Sequence, residues 1–311
     1  MDIDRRRLVV LSALGGAVPV AGLAAPAAAA PISTLGVDAT QLGVRAGGGA
    51  EQTAMLQSAI DQTAGARVPL VLGPGDYRIG AIKLPAGTQL VGVRGATRLI
   101  FSGGAAMIAA RGADHITLSG LVIDGAGKPL PDGGALVHIA QAKNFRMIDC
   151  EVRRSSRNGI ALEAVDGAVT ATSVVDVTEA AIFSRDAQGL TIQNNTVRGA
   201  GNNGILVWRS AKGDDGTMVI DNRIEDVAAK RGGSGQYGNA INVFRADNVI
   251  VRGNRIVRAA FTGVRGNAAS NLQVTGNSIS DVGEVAIYSE FGFEGVVIAN
   301  NTIDGAGSAF P

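Results

Sequence analysis

The sequence predicts an all-β protein, a parallel β-helix wound in coils of about 23 residues with one short helix capping its N-terminal end. Three observations predict it. Near-copies of one segment recur: NGILVWRSAKGDDGTMVIDNRIEDV from Asn203, NAINVFRADNVIVRGNRIVRA from Asn239 and TGVRGNAASNLQVTGNSISDV from Thr262. Inside each copy apolar residues alternate with period two, break at a sharp step and resume, as in short strands joined by bends. The 44 glycines and a 4% aromatic share suit tight turns around a core of Val, Ile, Leu and Ala.

The N-terminal residues read as an address. Asp4-Arg5-Arg6-Arg7-Leu8-Val9-Val10 precedes an apolar run from Leu11 to Leu23 and an Ala-rich end, the three regions of an export signal. Consecutive arginines followed by Leu8 resemble a twin-arginine signal, which carries folded proteins across the inner membrane. Residues 1–29 are therefore expected to be removed, near Ala27-Ala28-Ala29, by way of the twin-arginine export machinery. The mature protein is expected to be bacterial, periplasmic or secreted, without stable membrane insertion. No later segment holds eighteen uninterrupted apolar residues. A net charge of +1 argues against a nucleic-acid partner, and the single cysteine, Cys150, leaves no internal disulfide.

From residue 35 to 311 the chain is read as one domain, with a cap and first strands over 35–104 and repeat coils over 105–311. In the cap, Glu51 to Thr63 places positions 55, 56, 59, 60 and 63 on one helical face. Such a helix plugs the open end of the first coil, which otherwise exposes strand edges and apolar interior. The coils align on a column of Leu136, Ile160, Ile182, Ile205, Ile241, Val264 and Ile287, with steps of 24, 22, 23, 36, 23 and 23 residues by subtraction. A second column reads Cys150, Ser173, Asn195, Asn222, Asn254, Asn277 and Asn301. Asn is expected at the bend because it tolerates a left-handed backbone and stacks its amides into a hydrogen-bonded ladder. No matching cap follows the last coil, so that end is expected to be truncated or covered by a partner.

These units resemble the right-handed β-helix repeats of the pectin-lyase-like superfamily. With its leader, the whole chain resembles a family of twin-arginine-translocated β-helix repeat proteins that itself has no established function. Pro69-Leu70-Val71-Leu72-Gly73-Pro74-Gly75-Asp76-Tyr77-Arg78-Ile79 is similar to the helix-then-PPGxY opening of many exported β-helix proteins. The resemblance implies the right hand of the helix and no particular reaction. The polygalacturonase sets Asn-Thr-Asp, Gly-His-Gly and Arg-Ile-Lys do not occur, nor does the Asp-Pro-His-Asp of alginate epimerases or the Arg-x-Pro-x-x-Arg of pectate lyases.

Function is sought on outward positions, one and three residues beyond the aliphatic column. The first outward column reads Val137, Ala161, Phe183, Leu206, Asn242, Arg265 and Tyr288; the second reads Ile139, Glu163, Arg185, Trp208, Phe244, Asn267 and Glu290. Four of the chain's twelve aromatics fall in these fourteen positions, which points to a binding groove, although mutual packing of the rings is the alternative. Two insertions, between Ile205 and Asn222 and between Asn222 and Ile241, flank Trp208 and Phe244 and place a site's centre there, unless they are simply solvated loops. The expected ligand is a polysaccharide or oligosaccharide, contacted by Glu163, Phe183, Trp208, Arg209, Asn242, Phe244, Arg245, Arg265, Tyr288 and Glu290. Lyase or epimerase chemistry on a uronic acid polymer needs Arg, Lys or Ca²⁺ to neutralise the sugar carboxylate and a base to take its proton. Arg185, Lys230, Arg231 and Tyr237 are the catalytic candidates, and Ca²⁺ enters only on this reading. A glycoside hydrolase needs paired carboxylates instead, and Asp214-Asp215 is the adjacent pair on offer. A non-catalytic structural or protein-interaction β-helix is the alternative to both. His138 is read as inward-facing, His115 as a residue preceding a strand and Cys150 as a small buried residue, so none is assigned chemistry. Asp124 and Asp132 bracket a Gly/Pro turn and are read as serving the backbone.

Overall fold

The structure, a computed structural model, describes residues 36–47, 49–233 and 235–307; the expected export signal lies outside them. Every strand pairing is parallel, and each coil contributes a strand to each of three faces. In the coil opening at Asn203, the first-face strand is Asn203–Asp214, the second-face strand Met218–Ile220 and the third-face strand Arg223–Val227. Ten third-face strands stack from Gly75–Ile79 to Thr302–Ala306. The first two faces merge into one 18-stranded sheet, because strands such as Ala135–Ile148 run around the corner without a break. The outcome is a parallel β-solenoid with about 23 residues per coil.

Alternation decides what is buried. Residues on one side of each strand point into the bore, and the coils bring them into register. On the first face the bore column runs Ile82, Ile108, Val137, Ile160, Ile182, Ile205, Ile241, Val264 and Ile287. On the third it runs from Leu99 through Ile123, Val152, Val174, Val197, Ile224 and Ile256 to Ile279. All but Ile287 are buried. Val137, not Leu136, therefore belongs to the column. The run Ala135-Leu136-Val137 is apolar throughout, so its alternation carries no contrast; the hydrogen-bond register, equal to a step of 23 residues from 137 to 160, decides.

The polar column is a ladder of amides inside the bend between the second and third faces. Asn195 Nδ2 donates to Asn222 Oδ1 at 3.0 Å, Asn222 Nδ2 to Asn254 Oδ1 at 2.9 Å and Asn254 Nδ2 to Asn277 Oδ1 at 3.0 Å; Asn277 continues to Asn301. Each oxygen also accepts the backbone N–H of the preceding rung, as from Asn195 N to Asn222 at 2.9 Å. Two corrections apply. Thr172, rather than Ser173, fills the rung between Cys150 and Asn195, since Thr172 N donates to Asn195 Oδ1. The left-handed residue is the one before each rung, Asp149, Ala171, Asn194, Asp221, Gly253, Gly276 and Asn300, so the rung amides are kept for hydrogen bonding and the backbone turn is made one position earlier.

The helix Thr53–Ala66 closes the N-terminal end, burying Leu56, Ala59, Ile60, Thr63 and Ala64. Met55, expected on that face, is 44% exposed. Tyr77 of the Pro-Gly-x-Tyr stretch is buried and donates its hydroxyl to Gly73 O at 3.0 Å. In the last coil Phe291, Val297, Ile298 and Ile303 are exposed. Among the described residues no helix is long and apolar enough to cross a membrane.

Candidate functional site

The outward side of the first face is the candidate site, because three aromatic rings meet there on successive coils. Phe183 and Trp208 stack with centroids 5.7 Å apart and planes inclined by 22°, and Trp208 meets Phe244 at 6.2 Å in a tilted arrangement. All three are half-buried. The register explains the meeting: Trp208 pairs with Phe244 across one coil step, while Phe183 lies diagonal to it beside Leu206. The rings do pack on one another, and they keep outward surface while doing so.

The first insertion lies along the far edge of these strands and is tied down. Ser210 donates N–H and hydroxyl to Asp186, Arg209 Nη1 donates to Ala187 O at 3.3 Å, and Arg245 Nη1 donates to Ser210 O at 3.2 Å. Arg245 also holds its guanidinium 4.9 Å from the Phe244 ring centre. The Asp214-Asp215 pair does not survive as a pair of catalytic carboxylates. Asp214 accepts from Asn248 on the surface, whereas Asp215 is buried, 3.8 Å from Arg209 Nη1.

Burial pushes the Asp215 carboxyl above the usual carboxylate range, against the hydrogen bonds from Thr217 and the charge of Arg209, which pull it down. A carboxyl with a folded pKa above its unfolded one destabilises the fold as pH rises past the unfolded value. Asp215→Asn is thus expected to raise the urea midpoint at about pH 7 and leave it unchanged near pH 3, where both states carry the proton. An unchanged midpoint at neutral pH counts against burial as the cause.

The second insertion covers the near edge. Gln236 O accepts from Asn203 Nδ2 and from Asn242 Nδ2, both at 3.2 Å. Gly235, at φ +81°, lies flat on the Arg265 guanidinium, where a Cβ would collide. Asn242 and Arg265, expected outside, are consequently buried at 5% and 8% exposure. Arg265 Nε donates to Glu290 at 2.7 Å, and Asn267 donates to the same carboxylate oxygen. Among the described residues Arg265 Nη1 has no hydrogen-bond partner. Tyr288, 40% exposed, has its ring centre 5.9 Å from that guanidinium.

The four catalytic candidates are not brought together. Arg185 pairs with Glu163 at 2.6 Å, at the far end of the strand Ala180–Arg185. Arg231 pairs at 2.5 Å with Glu179, which precedes that strand, and bonds to Tyr237; Glu179 accepts from Asn202 too. Five residues of strand, roughly 16 Å, separate Glu179's neighbour Ala180 from Arg185. Lys230 is exposed and makes no ion pair among the described residues. Arg231 and Tyr237 therefore serve the near edge, apart from Arg185.

What the sequence reading missed lies toward the cap. Because Val137 takes the bore position, Val137 and Ile139 point inward, and His138 and Ala140 replace them outside, paired with Ala161 and Glu163. Carrying the column back to Ile82 and Ile108 adds Lys83 and Arg111 to the same outward face. Lys83, Arg111 and His138 line a depression of about 760 Å³ beside the capping helix. Cys150 is buried, and burial pushes its thiol up to about 12, as expected of a residue without nucleophilic duty. His115 bonds Asn144 at the surface. Asp124 serves side chains as well as the Ala126 N–H, accepting from Arg153 and Arg154. Among the described residues no cluster of three or more His, Cys, Asp or Glu is placed to hold a metal ion.

Comparison with known proteins agrees with this architecture. No curated protein sequence matches the chain. The enzymatically active domain of tailspike protein 2 from bacteriophage CBA120 is similar in structure, with a TM-score of 0.69 at 14% identity over 88% of this chain and 43% of its own. The chain thus spans less than half of that domain's length. An alginate lyase from Paenibacillus sp. has a TM-score of 0.61 at 14% identity, covering 82% of this chain and 96% of its own. The A-module of a mannuronan C-5 epimerase from Azotobacter vinelandii has a TM-score of 0.57 at 16% identity, covering 86% and 96%. At these identities the likeness is one of fold. The family model described as the right handed beta helix region matches residues 95–224 and 210–310, and the chain belongs to that family.

Proposed function

We propose that the protein binds a polysaccharide along the outward side of its first face, gripping it on the Phe183, Trp208 and Phe244 rings between the two insertions. The observation that carries this is the ring stack itself: three aromatics on consecutive coils keep outward surface, where sugar rings stack. Similarity in fold to proteins named for alginate lysis and mannuronan epimerisation supports the polysaccharide class. The reading is one of binding. Arg185 is paired with Glu163 and Arg231 with Glu179, so the candidates named for processing the glycan do not form one assembled set among the described residues. The test is a titration with polyuronides and neutral glycans, following the fluorescence of Trp208, the single tryptophan, and watching the same samples for unsaturated or shortened products. A saturable change supports the groove; a silent panel with folded protein overturns it.

The leader carries the second part of the reading, that the protein works outside the cytoplasm after twin-arginine export. Replacing Arg5 and Arg6 by Lys is expected to leave uncleaved protein in the cytoplasm, measured by fractionation and intact mass. Unaltered delivery to the periplasm counts against this route.

A further inference from the structure

The outward face continues past Phe183 toward the cap and changes character there. Three features converge on the depression of about 760 Å³. The first is its rigid wall: on the helix, Gln57 Nε2 donates to Lys83 O at 2.8 Å and to Asp61 Oδ1 at 2.9 Å, while its Oε1 accepts Lys83 N–H at 2.7 Å. The second is an excess of cations. The Lys83 ammonium is exposed and makes no ion pair among the described residues. Arg111 is exposed too; its Nη2 stands 3.9 Å from Glu163, whose nearer partner is Arg185 at 2.6 Å. Asp61 is the only carboxylate in the lining, and one of its oxygens is taken by Gln57. The third is His138, half-buried between them, whose pKa burial holds below the usual imidazole value; Arg111 and Arg185 lower it further and Glu163 opposes them. A neutral imidazole offers one donor and one acceptor to a ligand. Leu84, Pro85, Ala109 and Ala140 supply apolar surface around these groups.

We propose that this depression is a subsite for an anionic group, carboxylate or sulfate, on an acidic glycan, held by Lys83 and Arg111 with His138 as a hydrogen-bonding partner. The proposal rests on the glycan reading above and names the substrate class for it. Arg binds a planar carboxylate or a sulfate through two parallel N–H bonds. Arg111 is exposed, held only by a 3.3 Å bond from Nη1 to Gln141 and the 3.9 Å approach to Glu163, and keeps N–H donors for such a group. Two coil steps, roughly 10 Å, separate His138 from Phe183, so one oligosaccharide spans anion subsite and ring stack together.

The test is calorimetric titration at low salt with a galacturonate hexamer, its carboxyl-reduced counterpart and a sulfated glucan oligomer. Wild type is compared with the double variant Lys83→Ala/Arg111→Ala and with Arg111→Lys, and Trp208 fluorescence is followed in parallel. The double variant is expected to lose about tenfold or more in affinity for an anionic oligomer, about 1.4 kcal/mol, and nothing for the carboxyl-reduced one; Arg111→Lys recovers part of the loss. Both side chains are exposed, and the Lys83 N–H to Gln57 bond survives truncation, so folding is preserved. Whichever anionic oligomer shows the variant-dependent affinity names the group. Equal affinity of wild type and double variant for both anionic oligomers overturns the subsite, while a Trp208 response in those titrations leaves the glycan reading standing. Absence of binding to all three by wild type overturns the subsite, and the wider glycan panel then decides the groove.

Discussion

Asn222→Ala is expected to destabilise the protein by about 3–6 kcal/mol, the effect of leaving two or more buried polar groups without partners. Asn222 is 1% exposed and sits mid-ladder. Its oxygen accepts from Asn195 N and Asn195 Nδ2, and its amide donates to Ile192 O and Asn254 Oδ1. Truncation removes all four bonds at once and opens a cavity that the rigid corner does not fill. Because most domains are stable by only about 5–15 kcal/mol, this is a large share of the total. Asn222→Thr should be milder, since Thr172 already serves as a rung and its hydroxyl meets Cys150 N. Urea unfolding followed by far-ultraviolet circular dichroism reads both. As coils touch only their neighbours, the single transition is also expected to split, with the two flanking stacks melting apart. An unshifted midpoint for the Ala variant contradicts the ladder's stabilising role.

Trp208→Ala is expected to weaken glycan binding by roughly thirtyfold, the 2 kcal/mol or more typical of a central aromatic anchor. Trp208 contacts a ring on either side, so its loss removes its own surface and the support that orients Phe183 and Phe244. Phe244→Ala should cost less, because Phe244 stands at the end of the stack beneath Arg245. Stability should change little in both, as these rings are half-exposed and outside the bore. Titration calorimetry with the ligand found by fluorescence distinguishes the outcomes. Full affinity in Trp208→Ala removes the ring stack from the site.

The coil pattern was legible because aliphatic alternation and the Asn column repeat over many steps, so single irregularities average out. Failures came where local contrast vanished. Three consecutive apolar residues, Ala135 to Val137, hid a one-residue slip, and that slip alone turned His138 from an outward residue into an inward one. Thr172 and Ser173 are both small hydroxyl residues, and only the hydrogen bond to Asn195 separates them. Arg265 and Asn242 do occupy outward positions of their strands, but the loop that leads into Asn239–Asp247 folds back over them, and periodicity carries no information about that. The ring stack was half visible: three aromatics in two adjacent outward columns are readable, whereas their mutual distances follow from coil spacing.

The coil spacing also gives the outward face an orientation. Hydrogen bonding along the solenoid fixes the interval between equivalent positions at about 4.8 Å, and the side chains set on that scale are not alike from one end to the other. Lys83 and Arg111 stand near the cap, the three rings stand midway, and Glu290 closes the series beyond them. The face is therefore unlike at its two ends: open cationic side chains stand toward the cap, whereas Glu290 at the other end is already paired with Arg265 and Asn267.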